Sequence, residues 1–273
     1  MSYKGIGNPL THRARKRFGQ NFLHDQGIIQ RIVDSIAPRP EEHLVEIGPG
    51  QGAITRELLR TAGSMDAVEL DRDLVGPLAE MCAPLGDLRI YNADILKFDL
   101  CGLVPDGEQL RVVGNLPYNI STPILFHLLD RSHCIQDMHF MLQKEVVRRM
   151  GASPGNKQYG RLSVMLQARC QVNHLFDIGP GAFKPAPKVD SAFVRLEPLV
   201  TPLVQIEDQD YFAKMVAQAF SQRRKTLRNS LRKMVDTETM RKVGIDSGLR
   251  AEQLDVETFS HLANVACKIA PPS

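Results

Sequence analysis

Short apolar runs alternate with amphipathic helical patterns along the first two thirds of the chain, and this alternation restricts the possible folds most. Strand-like runs stand at 44–47, 66–70, 88–92, 111–114 and 138–142. Helical patterns separate most of them, as where Ile54 and Leu58 precede Gly63. Strands that alternate with helices form βαβ units with right-handed crossovers. The pattern therefore predicts an α/β protein built on a parallel sheet.

Two more apolar runs, 171–178 and 191–197, are joined by a loop too short for a crossover helix. We expect them to pair antiparallel at one edge, which gives seven strands in a mostly parallel sheet. Ahead of the first strand, Asp25 is predicted to cap a helix that ends before Pro38.

The proline-interrupted segment 198–208 separates this region from purely helical sequence. It predicts a boundary near residue 202, with a large domain at 1–202 and a small all-helical domain at 203–273. The first helix of the small domain is predicted over 210–233.

Composition excludes disordered, collagen-like and fibrous proteins. The chain has 273 residues, 43% of them hydrophobic and 24% charged, which is typical of a globular protein. We expect a cytoplasmic protein without a membrane partner, because no apolar run is long enough to cross a bilayer and the N-terminus is polar and basic. Its five cysteines are scattered without a Cys-x-x-Cys pair, so reduced thiols and no metal site are expected.

Positive charge is concentrated in two segments, although the net charge is only +3. Residues 1–25 contain five bases and a single acid, and residues 221–233 contain six bases and no acid. Such segments on an otherwise acidic chain favour docking to a polyanion, and we expect a nucleic acid. The candidate RNA-binding residues are Arg15, Lys16, Arg17, Arg223, Arg224, Lys225 and Arg228.

Ligands of parallel sheets bind at the carboxyl ends of the strands, so the residues that end each strand are informative. The first strand runs into Gly48-Pro-Gly50-Gln-Gly52 and then a helix. The second ends in Glu69 and Asp71, about twenty residues on, where an adenosine-binding fold needs a carboxylate for the ribose. The third ends near Asp94, which could accept from an exocyclic amine.

The fourth strand argues against a dinucleotide dehydrogenase. Ala53 stands where the third fingerprint glycine would fall, and the strand ends in Asn115-Leu116-Pro117-Tyr118. This tetrad suits a poor amine nucleophile such as adenine N6. The Asn115 amide and a backbone carbonyl near Leu116 or Pro117 could accept its hydrogens and free its lone pair, while Tyr118 stacks on the base.

With these motifs in view, the chain resembles the S-adenosylmethionine-dependent rRNA adenine N6,N6-dimethyltransferases, and most closely their bacterial 16S rRNA branch. The matching blocks are RKRFGQNFLHD, VEIGPGQGAIT, VELDRDL, NADIL, VVGNLPYNIST, MLQKEVVRRM, YGRLSVM, FKPAPKVDSAFVRL and QRRKTLRNSL. The resemblance implies a Rossmann-like class I methyltransferase fold with a small helical C-terminal domain.

The resemblance also implies a reaction and a site. The enzyme would dimethylate two adjacent adenosines in the 3′-terminal hairpin loop of 16S rRNA in the small (30S) subunit, and a monomer is expected. The implied cofactor contacts are Asn21, Leu23, Gly48, Glu69, Asp94 and Asn115. The implied target-base residues are Asn115, Leu116, Pro117, Tyr118 and Phe183, with Phe183 on the far side of a flipped base.

Two other functions remain open at this point. One is dimethylation of a large-subunit rRNA adenosine by the same chemistry. The other is an assembly checkpoint that holds immature small subunits through the two basic segments, with methylation as the release signal.

Overall fold

A computed structural model of the chain describes residues 21–202 and 204–269. Arg15, Lys16 and Arg17 lie outside the described residues. The strands are β1 (Phe22–Leu23), β2 (His43–Ile47), β3 (Ser64–Glu69), β4 (Asp87–Asn92), β5 (Leu110–Asn115), β6 (Ile135–Gln143), β7 (Cys170–Ile178), β8 (Phe183–Lys184) and β9 (Ser191–Pro198). The α-helices are α1 (Gln26–Ile36), α2 (Thr55–Ala62), α3 (Arg72–Cys82), α4 (Ser121–Leu129), α5 (Lys144–Met150), α6 (Arg161–Gln167), α7 (Gln209–Phe220), α8 (Leu227–Ser230), α9 (Thr237–Lys242) and α10 (Val256–Ile269).

The sheet confirms the predicted α/β architecture. Seven strands lie in the order β4-β3-β2-β5-β6-β9-β7. The pairs from β4 to β6 are parallel, and β9 is antiparallel to β6. The Asp25 carboxylate accepts the amide hydrogen of Ile28 at 2.9 Å and caps α1, also as predicted. The small two-stranded sheet of β1 and β8 was not foreseen.

Gly114 allows the two central strands to end side by side. In the parallel register Ile47 of β2 is opposite Gly114 of β5. A Cβ atom at residue 114 would stand 2.6 Å from the Ile47 carbonyl oxygen, a distance that real Cβ atoms do not tolerate. A residue without a side chain is therefore required immediately before Asn115.

The chain divides into two compact units, Met1–Lys144 with His174–Leu196, and Glu145–Asn173 with Glu197–Ser273. This division differs from the boundary near residue 202, because 145–173 joins the C-terminal helices. Within that second unit α6 packs on α7, and the rings of Tyr159 and Phe220 lie 6.1 Å apart. Contacts so distant in sequence leave no local pattern.

The helix predicted over 210–233 is wrong in its length. The structure ends α7 at Phe220 and resumes with α8 at Leu227. Between them Thr226 forms an antiparallel bridge with Arg250, and the Leu227 amide donates to the Leu249 carbonyl at 2.8 Å. These long-range hydrogen bonds hold Thr226 in an extended conformation that interrupts the helix.

The expectation that all cysteines are reduced is also wrong, because Cys101 and Cys134 form a disulfide. Their chain separation is 33 residues, yet each lies in the connection that leads into one of two neighbouring strands, β5 and β6. The sequence could not show that these connections meet. His133 is adjacent, with Nε2 3.6 Å from the Cys101 sulfur.

A buried ionic cluster joins the neighbouring strands β5, β6 and β9 to the segment that connects α1 with β2. Arg111 of β5 is 5% exposed and donates to Asp137 at 3.0 Å, to Glu42 at 2.7 Å and to the Ile36 carbonyl at 2.8 Å. Asp137 also accepts from Arg195. Burial is the largest single influence on Asp137 and opposes its ionisation, but the hydrogen bonds and charges of its basic neighbours, Arg111 first among them, together outweigh burial and lower the pKa of that carboxyl.

Replacing Arg111 should therefore destabilise the fold. Arg111→Met leaves the buried Asp137 carboxylate short of its main partner, and we expect the free energy of unfolding to fall by about 3 kcal/mol in urea denaturation. Arg60→Met, which breaks an exposed ion pair with Glu57, is the control and should cost under about 1 kcal/mol. Equal losses for the two variants would contradict a structural role for the cluster.

Candidate active site

A cavity of about 360 Å³ opens at the carboxyl ends of β2, β3, β4 and β5, within the first unit. The glycine loop, the end of β3, the turn after β4 and the tetrad that follows β5 all line it. The structure thus brings together most of the predicted cofactor and target-base residues: Asn21, Leu23, Gly48, Glu69, Asp94, Asn115, Leu116, Pro117 and Tyr118.

Gly48 provides an open face for a ligand. Its φ of +67° lies in the left-handed region, and a Cβ atom there would meet no atom within 4 Å. Gly50 differs, because its Cβ would press against the Phe22 ring at 3.2 Å. Phe22 also lines the cavity, although the sequence analysis did not single it out.

Glu69 is the carboxylate that faces the cavity at the end of β3. It is 6% exposed, and its oxygens accept the amide hydrogens of Gly50 at 3.0 Å and of Asp71 at 2.8 Å. A carboxylate has about four acceptor sites, so backbone amides do not exhaust its capacity to accept a further hydrogen bond. Burial raises the pKa of Glu69 above its usual value. The Asp71 side chain instead caps α3.

Asp94 is held at the end of β4 by the amide of Leu96, which donates to its Oδ1 at 3.0 Å. Ile95, the next residue, lines the cavity as well and supplies an apolar surface. A carboxylate beside an aliphatic side chain suits an adenine ring, which presents an amine at its edge and apolar faces.

The charge of the cavity is complementary to a cationic ligand. Glu46, Glu69 and Asp94 line it, and none of the described lining residues is Lys or Arg. A sulfonium or an ammonium group would compensate these carboxylates. The open face at Gly48, the Glu69 carboxylate and this acidic lining together fit S-adenosylmethionine.

Asn115 is oriented by a contact from the N-terminal segment. Its Nδ2 donates to the backbone carbonyl of Asn21 at 2.9 Å. Because the amide nitrogen is engaged there, the amide oxygen is the atom left to accept a hydrogen bond from a substrate. Both residues were predicted to belong to the site, but no local pattern indicates that one orients the other.

Backbone hydrogen bonds shape the turn that follows Asn115. The Leu116 amide donates to the Met141 carbonyl at 3.2 Å, and the Pro117 carbonyl accepts from the Ile120 amide at 3.1 Å. The Leu116 carbonyl is therefore the better candidate for an acceptor that faces a substrate. Tyr118 completes the turn, and burial raises the pKa of its hydroxyl, so the phenol is neutral at physiological pH.

Phe183 lies elsewhere than the prediction would require. It is 3% exposed, belongs to the hydrophobic core and is paired with Leu23 through β8 and β1. It is absent from the described residues that line the cavity. A role on the second face of a target base stays a prediction, since it would require this ring to leave the core.

The basic residues of the second unit differ in their surroundings. Arg223 donates to the carbonyls of Lys157 and Tyr159 and is paired with Glu252. The side chains of Arg224, Lys225 and Arg228 are exposed. Arg223 therefore has a structural role in this unit, whereas the other three are available to a polyanion.

Solved structures of methyltransferases share this fold. A 23S rRNA methyltransferase, ErmE, matches with a TM-score of 0.69 at 27% identity, covering 90% of this chain and 100% of its own. A dimethyladenosine transferase from Plasmodium falciparum matches with a TM-score of 0.75 at 24% identity, covering 88% and 95%. The fold and the cavity define a class I S-adenosylmethionine-dependent methyltransferase.

Sequence comparison narrows the class to a family. A model of the ribosomal RNA adenine dimethylase family matches residues 11–268. A Pseudomonas aeruginosa relative named ribosomal RNA small subunit methyltransferase A is 54% identical over 254 residues, covering 93% of this chain and 94% of its own. A Xanthomonas campestris relative of the same name is 56% identical over 260 residues, covering 95% and 99%.

The chain therefore belongs to the ribosomal RNA adenine dimethylase family. It is an enzyme that uses S-adenosylmethionine as methyl donor, and the resemblance found in the sequence is confirmed. Among the described residues, no helix combines the length and the apolar character needed to cross a membrane.

The buried carboxyl of Glu46 makes the stability of the protein depend on pH. It is 2% exposed and accepts the Thr55 hydroxyl at 2.6 Å. Burial, together with the nearby Glu69, raises its pKa to about 7 despite the bond from Thr55. The unfolded chain then binds fewer protons than the folded one between the unfolded pKa of 4.5 and about 7, so stability falls as pH rises through this range.

Glu46→Gln keeps the shape and the Thr55 contact but cannot ionise. We expect it to flatten the loss of unfolding free energy between pH 5 and pH 8 and to stabilise the protein by up to about 3 kcal/mol at the upper end. Glu80→Gln, at an exposed carboxyl on α3, should leave the profile unchanged. A Glu46→Gln profile parallel to that of the original protein would refute the burial effect.

Proposed function

We propose that the protein transfers methyl groups to N6 of two adjacent adenosines in the 3′-terminal hairpin loop of 16S rRNA within the small ribosomal subunit. The observation that carries this proposal is the hydrogen bond from Asn115 Nδ2 to the Asn21 carbonyl, which orients the side chain and supports a role for its amide oxygen as an acceptor. The names of the relatives at 54% and 56% identity support the small subunit as substrate.

The donor half of the cavity binds and orients the methyl donor. S-adenosylmethionine supplies a methyl group already activated on a sulfonium, so no metal or covalent intermediate is needed. Glu69 accepts from the ribose hydroxyls, Asp94 accepts from the adenine amine, and Gly48 allows close approach of the backbone. Asn21 and Leu23 close the N-terminal side. The protein thus contributes position and charge complementarity.

The acceptor half activates a weak nucleophile. The lone pair of adenine N6 is delocalised into the ring, and hydrogen bonds to the amine draw the nitrogen toward tetrahedral geometry. Asn115 Oδ1 and the Leu116 carbonyl are the two acceptors. Pro117 has no amide hydrogen to compete with them and restricts the turn.

Tyr118 supports the flipped base. Its ring lines the cavity next to Pro117, and stacking on a base is worth roughly 1–3 kcal/mol. That amount offsets much of the few kcal/mol needed to unstack an adenosine from a loop. For Phe183 to stack on the other face of the base, its ring would first have to leave the hydrophobic core.

Basic side chains are proposed to bind the RNA. In the helical C-terminal region Arg224, Lys225 and Arg228 contact phosphates, with Arg15, Lys16 and Arg17 contributing from the N-terminal segment. Phosphate contacts of this kind set affinity and register rather than sequence preference.

Removal of the Asn115 amide tests the reaction and the site together. With labelled methyl donor and unmodified small subunits, the original protein should yield N6,N6-dimethyladenosine after nucleoside digestion. Asn115→Ala should lower transfer by at least about a hundredfold, because an acceptor made for the transition state is lost. Asn264→Ala on α10, where the side chain bonds the Gln205 carbonyl, is the control.

Unchanged turnover in Asn115→Ala would exclude the proposed role of this residue. Product on large but not small subunits would favour the large-subunit alternative, which the similarity to ErmE keeps open. If Asn115→Ala still binds immature small subunits and delays their maturation, the checkpoint function is supported; normal maturation would exclude it.

Neutralising the exposed basic side chains of Arg224, Lys225 and Arg228 tests whether this surface binds RNA. We expect Arg224→Gln with Lys225→Gln and Arg228→Gln to weaken subunit binding and to reduce the slope of log affinity against log salt by about one unit per lost phosphate contact. Lys214→Gln on α7 is the control. An unchanged slope in the triple variant would show that this surface does not contact RNA.

A further inference from the structure

Ser191 is a buried polar residue that the proposed reaction does not use. It begins β9, is 0% exposed and pairs with Gln143 of β6. Its hydroxyl lies 2.5 Å from the Tyr118 hydroxyl. The block KVDSAFVRL that contains it matches the family, but nothing in the sequence gave this serine a role.

The contact joins a turn to a strand. Tyr118 stands in the turn after β5, whereas Ser191 is held in the sheet by its pairing with β6. The preceding residue, Asp190, accepts the Lys144 amide at 3.0 Å, which fixes the chain on entry to β9. The hydroxyl partner of Tyr118 is thus attached to a rigid element.

A tyrosine side chain rotates about two bonds, and an anchored hydroxyl removes much of that freedom. The Tyr118 ring is partly buried and lines the cavity, while Ser191 is outside the set of described lining residues. Its hydrogen bond with Tyr118 therefore connects Ser191 to the cavity without a direct contact. A neutral phenol can donate to the serine oxygen or accept from it, so the bond persists at physiological pH.

We infer that Ser191 is a positioning residue, which holds the Tyr118 ring at the angle needed to stack on the target adenine. The inference rests on the proposed function, since it assigns no separate activity to Ser191. Its physical content is preorganisation: the ring orientation is set before the base enters, so binding does not have to fix it.

A double-mutant cycle tests the inference. Ser191→Ala and Tyr118→Phe each remove one side of the bond, and we expect each to lower the methyl-transfer rate at saturating donor about three- to tenfold. The double variant should be no slower than the slower single variant, because the same bond is lost only once. Donor affinity by calorimetry should be unchanged in all three.

The control is Ser260→Ala, which removes another buried serine, one that bonds its own helix at Val256. It should leave transfer unchanged. Thermal unfolding of every variant establishes that the comparison is between folded proteins, and Tyr118→Phe provides a second route to the same bond if Ser191→Ala unfolds.

Each result has a distinct meaning. Losses that multiply in the double variant, or full activity in Ser191→Ala, would overturn the positioning role while leaving the proposed function intact. Absence of transfer by the original protein on small subunits would instead overturn the proposed function itself. A loss of donor affinity in Ser191→Ala would show a general packing role and would also contradict the inference.

Discussion

The close parallel approach of β2 and β5 is the constraint on which the site depends. It requires Gly114, because any side chain there would collide with the Ile47 carbonyl oxygen. Since β2 runs into the glycine loop and β5 into Asn115, their approach brings the donor and acceptor halves of the cavity together. A structural feature of the backbone thus determines which chemistry the strand ends can share.

The electrostatics of the cavity serve the same end. Three carboxyl groups line a space without a described basic side chain, and burial keeps two of them, Glu46 and Glu69, harder to ionise than usual. A cationic donor is the natural partner of such a cavity, because a positive charge nearby favours the ionised form of these carboxyl groups. On the acceptor side the working groups are neutral, so they suit an uncharged adenine.

Much of this arrangement could be predicted from local patterns in the sequence. The period of the strands and helices, the cap at Asp25 and the residues that end β2 to β5 are short-range signals, and they predicted the sheet and most of the cavity lining. The helix predicted through residue 233 failed because a bridge between Thr226 and Arg250 interrupts it. The disulfide of Cys101 and Cys134 depends on the adjacency of β5 and β6, which spacing does not encode. Phe183 lies in a motif that matches the family, yet its side chain is in the hydrophobic core. The sequence alone could not distinguish a ring that contacts the target base from one that packs in the core.

In the proposed reaction, Asn115 and Leu116 present two carbonyl oxygens to the amine of a flipped adenosine beside the donor. The most direct measurement is a structure of the protein bound to S-adenosylhomocysteine and an unmodified small subunit. We predict the target N6 within hydrogen-bond distance of Asn115 Oδ1 and the Leu116 carbonyl, with Glu69 on the ribose of the cofactor. An N6 that contacts neither oxygen, or a cofactor bound away from Gly48 and Glu69, would contradict the account.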